Sequence, residues 1–316
     1  MTSPQLPRVL VLLATHNGAA FLREQLESVL AQDGVEVHVL ISDDGSTDAT
    51  PKLIGDFVGA DARVRALPPG RFGSAAANFA RLIQDADLEE YDAVALCDQD
   101  DRWKPWKLAR HAAILFDAEA IAAGEPVSAV SSNVVAFDEQ GLERIIVKDQ
   151  PQRLADYAFE SGGPGSTYLL GRPAFRLVQQ ELRRPDGAAA RARAHDWLIY
   201  ALVRASGGRW VIDHEPSVEY RQHDANVLGA NEGAAQHWRR FLKIIDGSHR
   251  HDVSSVVAAA EAVAVGPHRR RLASLRALTA RRDPLSRLRL ARRAGHFRRR
   301  RRDQLVLTVT LLFGLW

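Results

Sequence analysis

The chain has 316 residues, of which 46% are hydrophobic and 26% charged, which is enough apolar sequence for one large globular domain with an appendage. Its one cysteine, Cys97, excludes an intramolecular disulfide and a cysteine-rich zinc site, and this fits a reducing cytoplasm. No apolar run reaches the roughly 18 residues of a membrane-spanning helix, and the first residues lack the arrangement of a signal peptide.

The net charge of +3 combines two regions of opposite sign. Residues 236–316 hold 19 lysines and arginines against 5 acidic residues, a net charge of +14. Residues 1–235 have a net charge of −11. We therefore predict a main domain over 1–235 and a distinct basic region over 236–316.

Strand-like and helix-like segments alternate over residues 1–125. Buried strands are predicted at RVLVLLA, VEVHVLIS, RVRAL and YDAVALC. Helices are predicted at AAFLREQLESVLAQ, near 49–58, at SAAANFARLIQDA, and as one long helix at KPWKLARHAAILFDAEA with Pro105 in its first turn. The alternation predicts an α/β fold with a mostly parallel central sheet and helices on both faces.

Residues 126–235 are more mixed. PVSAVSSNVVAF and ERIIV predict a hairpin across DEQG, and a glycine-rich loop SGGPGSTYLL follows. Helices are predicted near 173–183 and 195–206, and the strands RWVID and SVEYRQ close this half.

The region from about 236 reads as helical and basic, with a run of five arginines, Arg298 to Arg302, ahead of an apolar end that contains a terminal tryptophan. It fits a solvated arginine-rich tail. It also fits a segment that lies on an anionic membrane surface or packs on the main domain, because arginines beside an apolar face suit an anionic leaflet.

The first candidate site is the acidic turn SDDGSTD. Asp43 and Asp44 follow a predicted sheet strand, which is where α/β proteins place groups that contact ligands. Ser46, Thr47 or Asp48 can cap the next helix, but capping does not account for two aspartates directly before Gly45.

The second candidate is CDQDD, which places Asp98, Asp100 and Asp101 between a buried strand and a helix. Carboxylates this close together repel one another unless a cation or hydrogen-bond donors compensate them. Oxygen ligands on a short loop suit Mg²⁺ or Mn²⁺, which complete their coordination with water and substrate phosphates. A surface acidic cluster without a metal is the alternative.

Two further polar groups follow. In HDW, Asp196 is either a general base aimed at a substrate hydroxyl or, together with His195, a helix cap with Trp197 packed inward. In YRQHDANVLG, His223 follows a strand and is either a ligand or a structural histidine.

Several rival motifs are absent from the sequence. No G-x-G-x-x-G follows the first strand and no G-x-x-x-x-G-K-[ST] occurs, which disfavours dinucleotide oxidoreductases and P-loop enzymes. A G-x-S-x-G serine elbow is missing too. Cys97 has apolar neighbours on its N-terminal side and is not expected to be a nucleophile.

Taken in order, five motifs resemble family 2 glycosyltransferases, above all the bacterial rhamnosyltransferase-like members that build surface polysaccharides. These motifs are LLATHNGAAFLREQLESVLAQ, ISDDGSTDAT, DQDDRWKPWKL, HDWLIYALVRASGGRW and YRQHDANVLG. The resemblance covers about residues 8–230. It implies a GT-A fold, with a nucleotide-sugar-binding half over 1–125 and an acceptor-binding half over 126–235.

The resemblance also implies roles for individual residues on the donor side. The nucleotide base would be bordered by Thr15, His16, Asn17 and Glu24. Asp44 would accept a hydrogen bond from the base's imide N–H, with Asp43 nearby. The sugar site would be lined by Gly165, Ser166 and Thr167.

For the chemistry, the resemblance implies that Asp100 is the principal ligand of Mg²⁺ or Mn²⁺. Asp98 would assist directly or through water, and His223 would be a further contact to the metal or diphosphate. Asp196 would be the catalytic base, which takes the proton of the acceptor hydroxyl on the side of the sugar opposite the leaving diphosphate. Such an attack inverts the anomeric configuration.

The expected partners are a dTDP- or UDP-linked sugar donor and a glycan or lipid-linked acceptor. The basic region would bring an anionic membrane surface within reach, so we expect a cytoplasmic protein, peripheral at the inner face of the cytoplasmic membrane. We expect no nucleic acid as a partner.

Two other functions stay open from the sequence. A nucleotidyltransferase acting on sugar phosphates shares a nucleotide-binding α/β start, but it predicts a glycine-rich, basic loop after the first strand, whereas ATHNGAAF has no basic residue. A nucleic-acid-binding protein would use the arginine-rich tail and leave the acidic motifs without a role.

Overall fold

A computed structural model of the chain describes residues 5–138, 140–222, 248–281 and 283–316. Within these residues nine strands form one sheet. They are β1 (Arg8–Thr15), β2 (Glu36–Asp43), β3 (Val64–Ala66), β4 (Ala93–Cys97), β5 (Arg102–Trp103), β6 (Val127–Phe137), β7 (Glu143–Ile146), β8 (Leu169–Gly171) and β9 (Arg209–Arg221).

The strand order is β3-β2-β1-β4-β8-β6-β9-β5, with β7 paired to β6 outside this path. Strands β3, β2, β1 and β4 run parallel, as do β6 and β9. Strand β8 is antiparallel to both β4 and β6, and so joins the two parallel groups into one sheet. The predicted α/β fold is confirmed, and β6 and β7 form the predicted hairpin.

Helices cover both faces of the sheet in the first half of the chain. They are α1 (Leu22–Leu30), α2 (Thr50–Ala60), α3 (Ala75–Asp85), α4 (Lys107–Leu115) and α5 (Ala118–Ala122). The prediction of one long helix from Pro105 onward is wrong on two points. The helix begins at Lys107, beyond Pro105, and it stops at Leu115 because Asp117 starts a new helix by accepting the N–H groups of Glu119 and Ala120.

Alternate residues of the central strands enter different cores, as the two-residue period of a strand requires. On β1, Leu10 and Leu12 pack with α3, whereas Val9, Val11 and Leu13 pack with α1. The continuous apolar run RVLVLLA is therefore that of a parallel strand buried on both faces.

The second half of the main domain adds α6 (Arg172–Arg183) and α7 (His195–Ala205), with short 3-10 turns at Asp156–Ala158, Gly165–Thr167 and Ala188–Arg191. The last two predicted strands, RWVID and SVEYRQ, form one 13-residue strand, β9. The pairing of β6 with β9 shifts register between Ser132 and Val134, where the paired residue of β9 changes from Asp213 to Val218, and it continues beyond this irregularity to Arg221.

The C-terminal region is helical: α8 (Ser248–Val263), α9 (Gly266–Thr279), α10 (Pro284–Ala291), α11 (Ala294–Phe297) and α12 (Arg301–Leu312). The predicted segment HWRRFLKIID lies outside the described residues. Val257, Leu272, Phe297 and Leu311 belong to the same hydrophobic cluster as Leu10 of β1. The described basic helices therefore pack on the main domain and share its core.

Arg299 and Trp316 hold the end of the chain against residues 126–222, where Trp316 packs beside Phe159 with a centroid distance of 5.9 Å. The Arg299 side chain is almost completely buried, and its Nε lies 3.1 Å from Glu160 Oε1 and 3.7 Å from Asp156 Oδ2. Trp316 is also buried, and its Nε1 donates to His249 Nδ1 over 2.9 Å. One member of the arginine run is thus an internal ion-pair partner. Among the described residues, no helix combines the length and the apolar character needed to cross a bilayer.

Candidate active site

The carboxyl ends of three parallel strands meet at one edge of the sheet. In the pairing register Thr15, the last residue of β1, lies opposite Asp43, the last residue of β2. On the other side of β1, Leu13 pairs with Cys97, the last residue of β4. Strands β2 and β4 thus lie on opposite sides of β1, so the strand order changes direction at β1. The crevice outside the carboxyl ends of the strands at such a switch point is where open α/β sheets bind ligands.

Gln99 connects the loop after β4 to the loop after β1. Thr15 Oγ1 donates to Gln99 Oε1 over 2.6 Å and the His16 N–H donates to the same oxygen over 2.8 Å. Gln99 Nε2 donates to the His16 carbonyl over 3.1 Å. Gly18 allows this approach, because a Cβ there would lie 2.2 Å from Gln99 Oε1. The sequence prediction missed Gln99; its place between Asp98 and Asp100 was the available signal.

The acidic turn after β2 is held by the loop after β1. Asp43 accepts from the Ser46 hydroxyl over 2.5 Å and from the Ser46 N–H over 3.0 Å. Asn17 has a positive φ of 48°, and its Oδ1 accepts the Thr47 N–H over 2.8 Å. Asp48, which precedes the N-cap residue Ala49, accepts the N–H of Thr50 with its Oδ1 over 3.0 Å, whereas the N-cap position itself has no side-chain cap. Thr15, Asn17 and Asp43 are therefore brought together.

Asp44 is buried and orders the chain after β3. Its Oδ1 accepts the N–H groups of Phe72 and Gly73, the latter over 3.1 Å. Its carbonyl oxygen lies 2.7 Å from His16 Nδ1, so His16 stands beside Asp44 as the predicted base-binding pair requires. The carboxylate is already engaged by two backbone donors, and sequence reasoning gave no sign of them.

The CDQDD carboxylates form a concentrated negative charge. Burial, followed by repulsion from Asp100 and then Asp196, raises the pKa of Asp98 to about 7. Burial, followed by repulsion from Asp100 and then from Asp98, raises the pKa of Asp101 well above its ordinary value. Asp101 Oδ1 accepts the N–H of Arg221 over 3.2 Å, whereas its buried Oδ2 has no hydrogen-bond partner among the described residues.

Arg221, at the end of β9, holds the same loop from the other side. Its Nε donates to the Asp100 carbonyl over 3.0 Å, and its guanidinium lies between the rings of Phe21 and Phe137, 4.8 and 4.7 Å from their centroids. Its Nη2 also pairs with Glu24 Oε2 over 2.5 Å. The structure thus connects Glu24, predicted at the base site, to the carboxylate loop through Arg221.

A buried lysine, which sequence reasoning missed, lies close enough to the carboxylate loop for the charge of Asp101 to act on it. Lys107 is fully buried, its Nζ sits 3.6 Å from the centroid of the Trp103 ring, and burial lowers its pKa to about 7. Burial also raises the pKa of the Cys97 thiol, which agrees with the expectation that Cys97 is not a nucleophile.

Asp196 enters the site from the first turn of α7. The structure does not use His195 or Asp196 as a side-chain cap. His195 instead stacks on Phe79 with a centroid distance of 4.0 Å, and Trp197 packs inward as predicted. The Asp196 charge contributes, after burial and Asp100, to the raised pKa of Asp98.

The Gly165–Thr167 turn lies against the start of α7. A Cβ on Gly165 would be 2.7 Å from His195 Nε2 and 3.6 Å from the Asp196 Cβ. Ser166 and Thr167 are buried beside it. The predicted sugar-site segment and the predicted base are therefore neighbours. His223 lies outside the described residues.

The carboxylate cluster suits a divalent cation in its charge and ligand type. Within the described part of the chain, no group of three acidic, histidine or cysteine side chains is placed to hold a metal by itself. Mg²⁺ and Mn²⁺ need only one or two carboxylates when water and substrate phosphates supply the remaining ligands. Asp100 and Asp98 fit that requirement, because a cation would offset the repulsion that raises the pKa of Asp98.

Comparison with known proteins identifies the family. The model of glycosyl transferase family 2 matches residues 10–160. The dTDP-rhamnosyl transferase RfbG of Shigella flexneri is 34% identical over 249 residues, which cover 78% of this chain and 84% of RfbG. The chain belongs to the family 2 glycosyltransferases. The match to RfbG marks it as a bacterial rhamnosyltransferase-like member.

More distant similarities agree with this assignment. The succinoglycan biosynthesis protein ExoO of Rhizobium meliloti is 28% identical over 229 residues, covering 69% of this chain and 61% of ExoO. Residues 1–349 of S. aureus TarS, solved in complex with UDP-GlcNAc, superpose with a TM-score of 0.54 at 11% identity, covering 97% of this chain and 91% of that one. The fold of this family 2 enzyme is the GT-A fold.

Proposed function

We propose that this glycosyltransferase moves a sugar, with rhamnose the first candidate, from a dTDP- or UDP-linked donor to a surface-polysaccharide or lipid-linked glycan acceptor. The donor proposal is supported by the 34% identity to a protein named as a dTDP-rhamnosyl transferase. It is also supported by the site, in which the β1 and β2 loops and the carboxylate loop surround one crevice.

The observation that carries the proposal is the contact of the Gly165–Thr167 turn with the start of α7, where Asp196 lies. Asp98 comes from the loop after β4 and Asp196 from α7, and the Asp196 charge is one of the causes that raise the pKa of Asp98, after burial and Asp100. A donor diphosphate bound at the Asp98 loop would place its sugar between that loop and Asp196. Gly165, which the proposal places at the sugar site, lies against the start of α7, where a Cβ would be 2.7 Å from His195 Nε2 and 3.6 Å from the Asp196 Cβ.

In this proposal separate residues bind the nucleoside, hold the metal and accept the proton. Thr15, His16 and Asp44 hold the nucleoside in the crevice at the ends of β1 and β2. Asp100 and Asp98 hold Mg²⁺ or Mn²⁺, which when bound neutralises negative charge on the departing diphosphate. Asp196 accepts the proton of the acceptor hydroxyl as that oxygen forms its bond to the anomeric carbon. Attack on the face opposite the diphosphate inverts the configuration.

The proposed location is the inner face of the cytoplasmic membrane, without a transmembrane anchor in the described part of the chain. The support is the net charge of +14 over 236–316, which would draw the protein to an anionic surface that also carries lipid-linked acceptors. The nucleotidyltransferase alternative finds no support in the family match. The nucleic-acid alternative leaves the acidic crevice without a function.

The test of this function is a donor screen. Thermal shift with dTDP, UDP and GDP and their sugars, with and without Mn²⁺, should show stabilisation by one nucleoside diphosphate that depends on the metal. The stabilising sugar nucleotide should then be consumed in the presence of a glycan acceptor, with an inverted linkage by NMR. Stabilisation by none of them would refute the proposal.

A further inference from the structure

The C-terminal helices carry an unusual amount of apolar surface. Eight large apolar side chains between 285 and 315 are exposed, with Phe313 at 75% and Leu305 at 65%. We call this set the C-terminal apolar face; it comprises Leu285, Leu288, Leu305, Val306, Val309, Leu312, Phe313 and Leu315. Scattered exposed apolar residues are ordinary, but a cluster of this kind marks an interaction surface.

Helix α12 has apolar residues on both its inner and its outer side. Leu307 and Leu311 face inward and are buried in the core of the protein. Leu305, Val309 and Leu312 recur at helical spacing on the outer side. A helix that only packed on the domain would have a polar outer side, so the outer residues of α12 need another apolar environment.

Helix α10 extends the same face. It packs against α12, and a Cβ on Gly314 would lie 2.2 Å from Arg287 Nη1, so the middle of α10 lies against the end of α12. The exposed Leu285 and Leu288 flank Arg287 in sequence, and the exposed Phe313 adjoins Gly314. The exposed apolar side chains of α10 and of the end of α12 are therefore carried by two helices that pack against each other.

The positive charge around this face indicates which kind of partner it binds. Residues 284–316 contain nine arginines and one acidic residue, a net side-chain charge of +8. Exposed members on the two helices or beside them include Arg289, Arg292, Arg293, Arg301 and Arg302. A second copy of the chain would bring two strongly positive surfaces together, which is unfavourable. An anionic lipid surface offers both acyl chains for the leucines and phosphates for the arginines.

We propose that the C-terminal apolar face inserts into the interface of an anionic bilayer and holds the enzyme there, with the helices lying on the membrane. The inference rests on the proposed function in one respect: membrane binding would give the enzyme access to a lipid-linked acceptor. The membrane binding itself depends on the exposed apolar residues and arginines, whichever sugar is transferred.

Vesicle sedimentation of the full-length protein tests the proposal. Wild type should bind vesicles of phosphatidylcholine with about 30% phosphatidylglycerol, and bind pure phosphatidylcholine more weakly. The double variant Leu305→Asp/Phe313→Asp should bind the anionic vesicles at least about tenfold more weakly. Point variants are preferable to truncation near 235, because truncation would remove core residues such as Val257 and Leu311.

The matched control is Leu142→Asp, which places the same charge at a residue that is 70% exposed and lies outside the face. It should bind the anionic vesicles as wild type does, and all three proteins should keep their melting temperatures and their nucleotide binding. Equal vesicle binding by wild type and the double variant would overturn the proposal. So would a wild-type dimer in light scattering that the double variant converts to monomer, since the face would then join two copies.

The same set of measurements separates this inference from the proposed function. Absence of vesicle binding with normal nucleotide-sugar binding would refute the membrane surface alone. Vesicle binding without binding of any nucleotide sugar would refute the proposed function and leave the membrane surface intact.

Discussion

Gln99 Oε1 accepts a hydrogen bond from the Thr15 hydroxyl over 2.6 Å, and this bond joins the carboxylate loop after β4 to the loop after β1. Gln99→Ala removes this bond and two others to the His16 backbone. Because each contributes on the order of 1 kcal/mol, we expect nucleotide affinity to fall by roughly tenfold or more. Titration calorimetry with the nucleoside diphosphate and Mn²⁺ measures this.

Gln84→Ala is a suitable control, because Gln84 Nε2 bonds the Leu182 carbonyl between α3 and α6, away from the strand ends. It should leave nucleotide affinity within about twofold. Equal affinities for Gln99→Ala and wild type would show that the connection between the loops does not contribute to donor binding.

Substitutions of Asp100 and of Asp196 should impair different steps, metal-dependent donor binding and sugar transfer respectively. Asp100→Asn should abolish the Mn²⁺-dependent part of nucleotide binding, since it removes the principal proposed ligand. Asp196→Asn should keep donor binding and lower the transfer rate by about 10²–10⁴-fold, the usual contribution of general-base catalysis. Calorimetry and product formation with acceptor report the two steps, and transfer by both variants at the wild-type rate would contradict the assignment.

The pKa of Asp98 predicts how metal binding depends on pH. Metal binding requires the ionised carboxylate, and the metal-free pKa is raised to about 7. Mn²⁺ affinity in the presence of the nucleotide should therefore rise by up to about tenfold per pH unit below 7 and level off above it. In Asp98→Asn the affinity should be lower and its dependence on pH weaker. A pH-independent wild-type affinity between pH 5.5 and 8 would count against Asp98 as a ligand.

The same shift has a consequence for stability without metal. Folding raises the pKa of Asp98 from 3.8 to about 7, so between these values the native state holds a proton that the unfolded chain has lost. The free energy of unfolding should then fall as pH rises from about 4 to about 7. Asp98→Asn should gain stability relative to wild type at pH 8 but not at pH 4, as chemical denaturation at the two pH values would reveal.

Arg299 should matter for folding, unlike its neighbour Arg301. Arg299→Ala removes the guanidinium beside Glu160 and one of the two beside the buried Asp156, which keeps Arg204. Breaking such a buried pair costs about 3–5 kcal/mol. Arg301 is exposed, so Arg301→Ala should change the free energy of unfolding by less than about 0.5 kcal/mol. Similar denaturation midpoints for the two variants would argue against an internal role for Arg299.

Periodicity and motif order determined much of this protein. The apolar runs of β1, β2 and β4 indicated buried parallel strands, and the acidic residues that follow them could only lie at the carboxyl edge of the sheet. The five motifs gave the family, which the similarity to RfbG confirms. Strand ends and loop chemistry are local, and local features can be read from a sequence.

Tertiary structure decided the partners of those residues. The bond of Gln99 to Thr15 and the bond of Arg221 to the Asp100 carbonyl join chain segments far apart in sequence. The same holds for the contacts of the Arg221 guanidinium with the rings of Phe21 and Phe137. The arginine run shows the same limit. Its composition fitted a solvated tail, a membrane-bound segment or a segment packed on the main domain. Only the packed helices separate Arg299, which is buried against carboxylates, from the exposed Arg301. Whether an arginine is buried, and which carboxylates then compensate its charge, depends on the segments that the fold brings beside it, and a local sequence pattern does not contain that information.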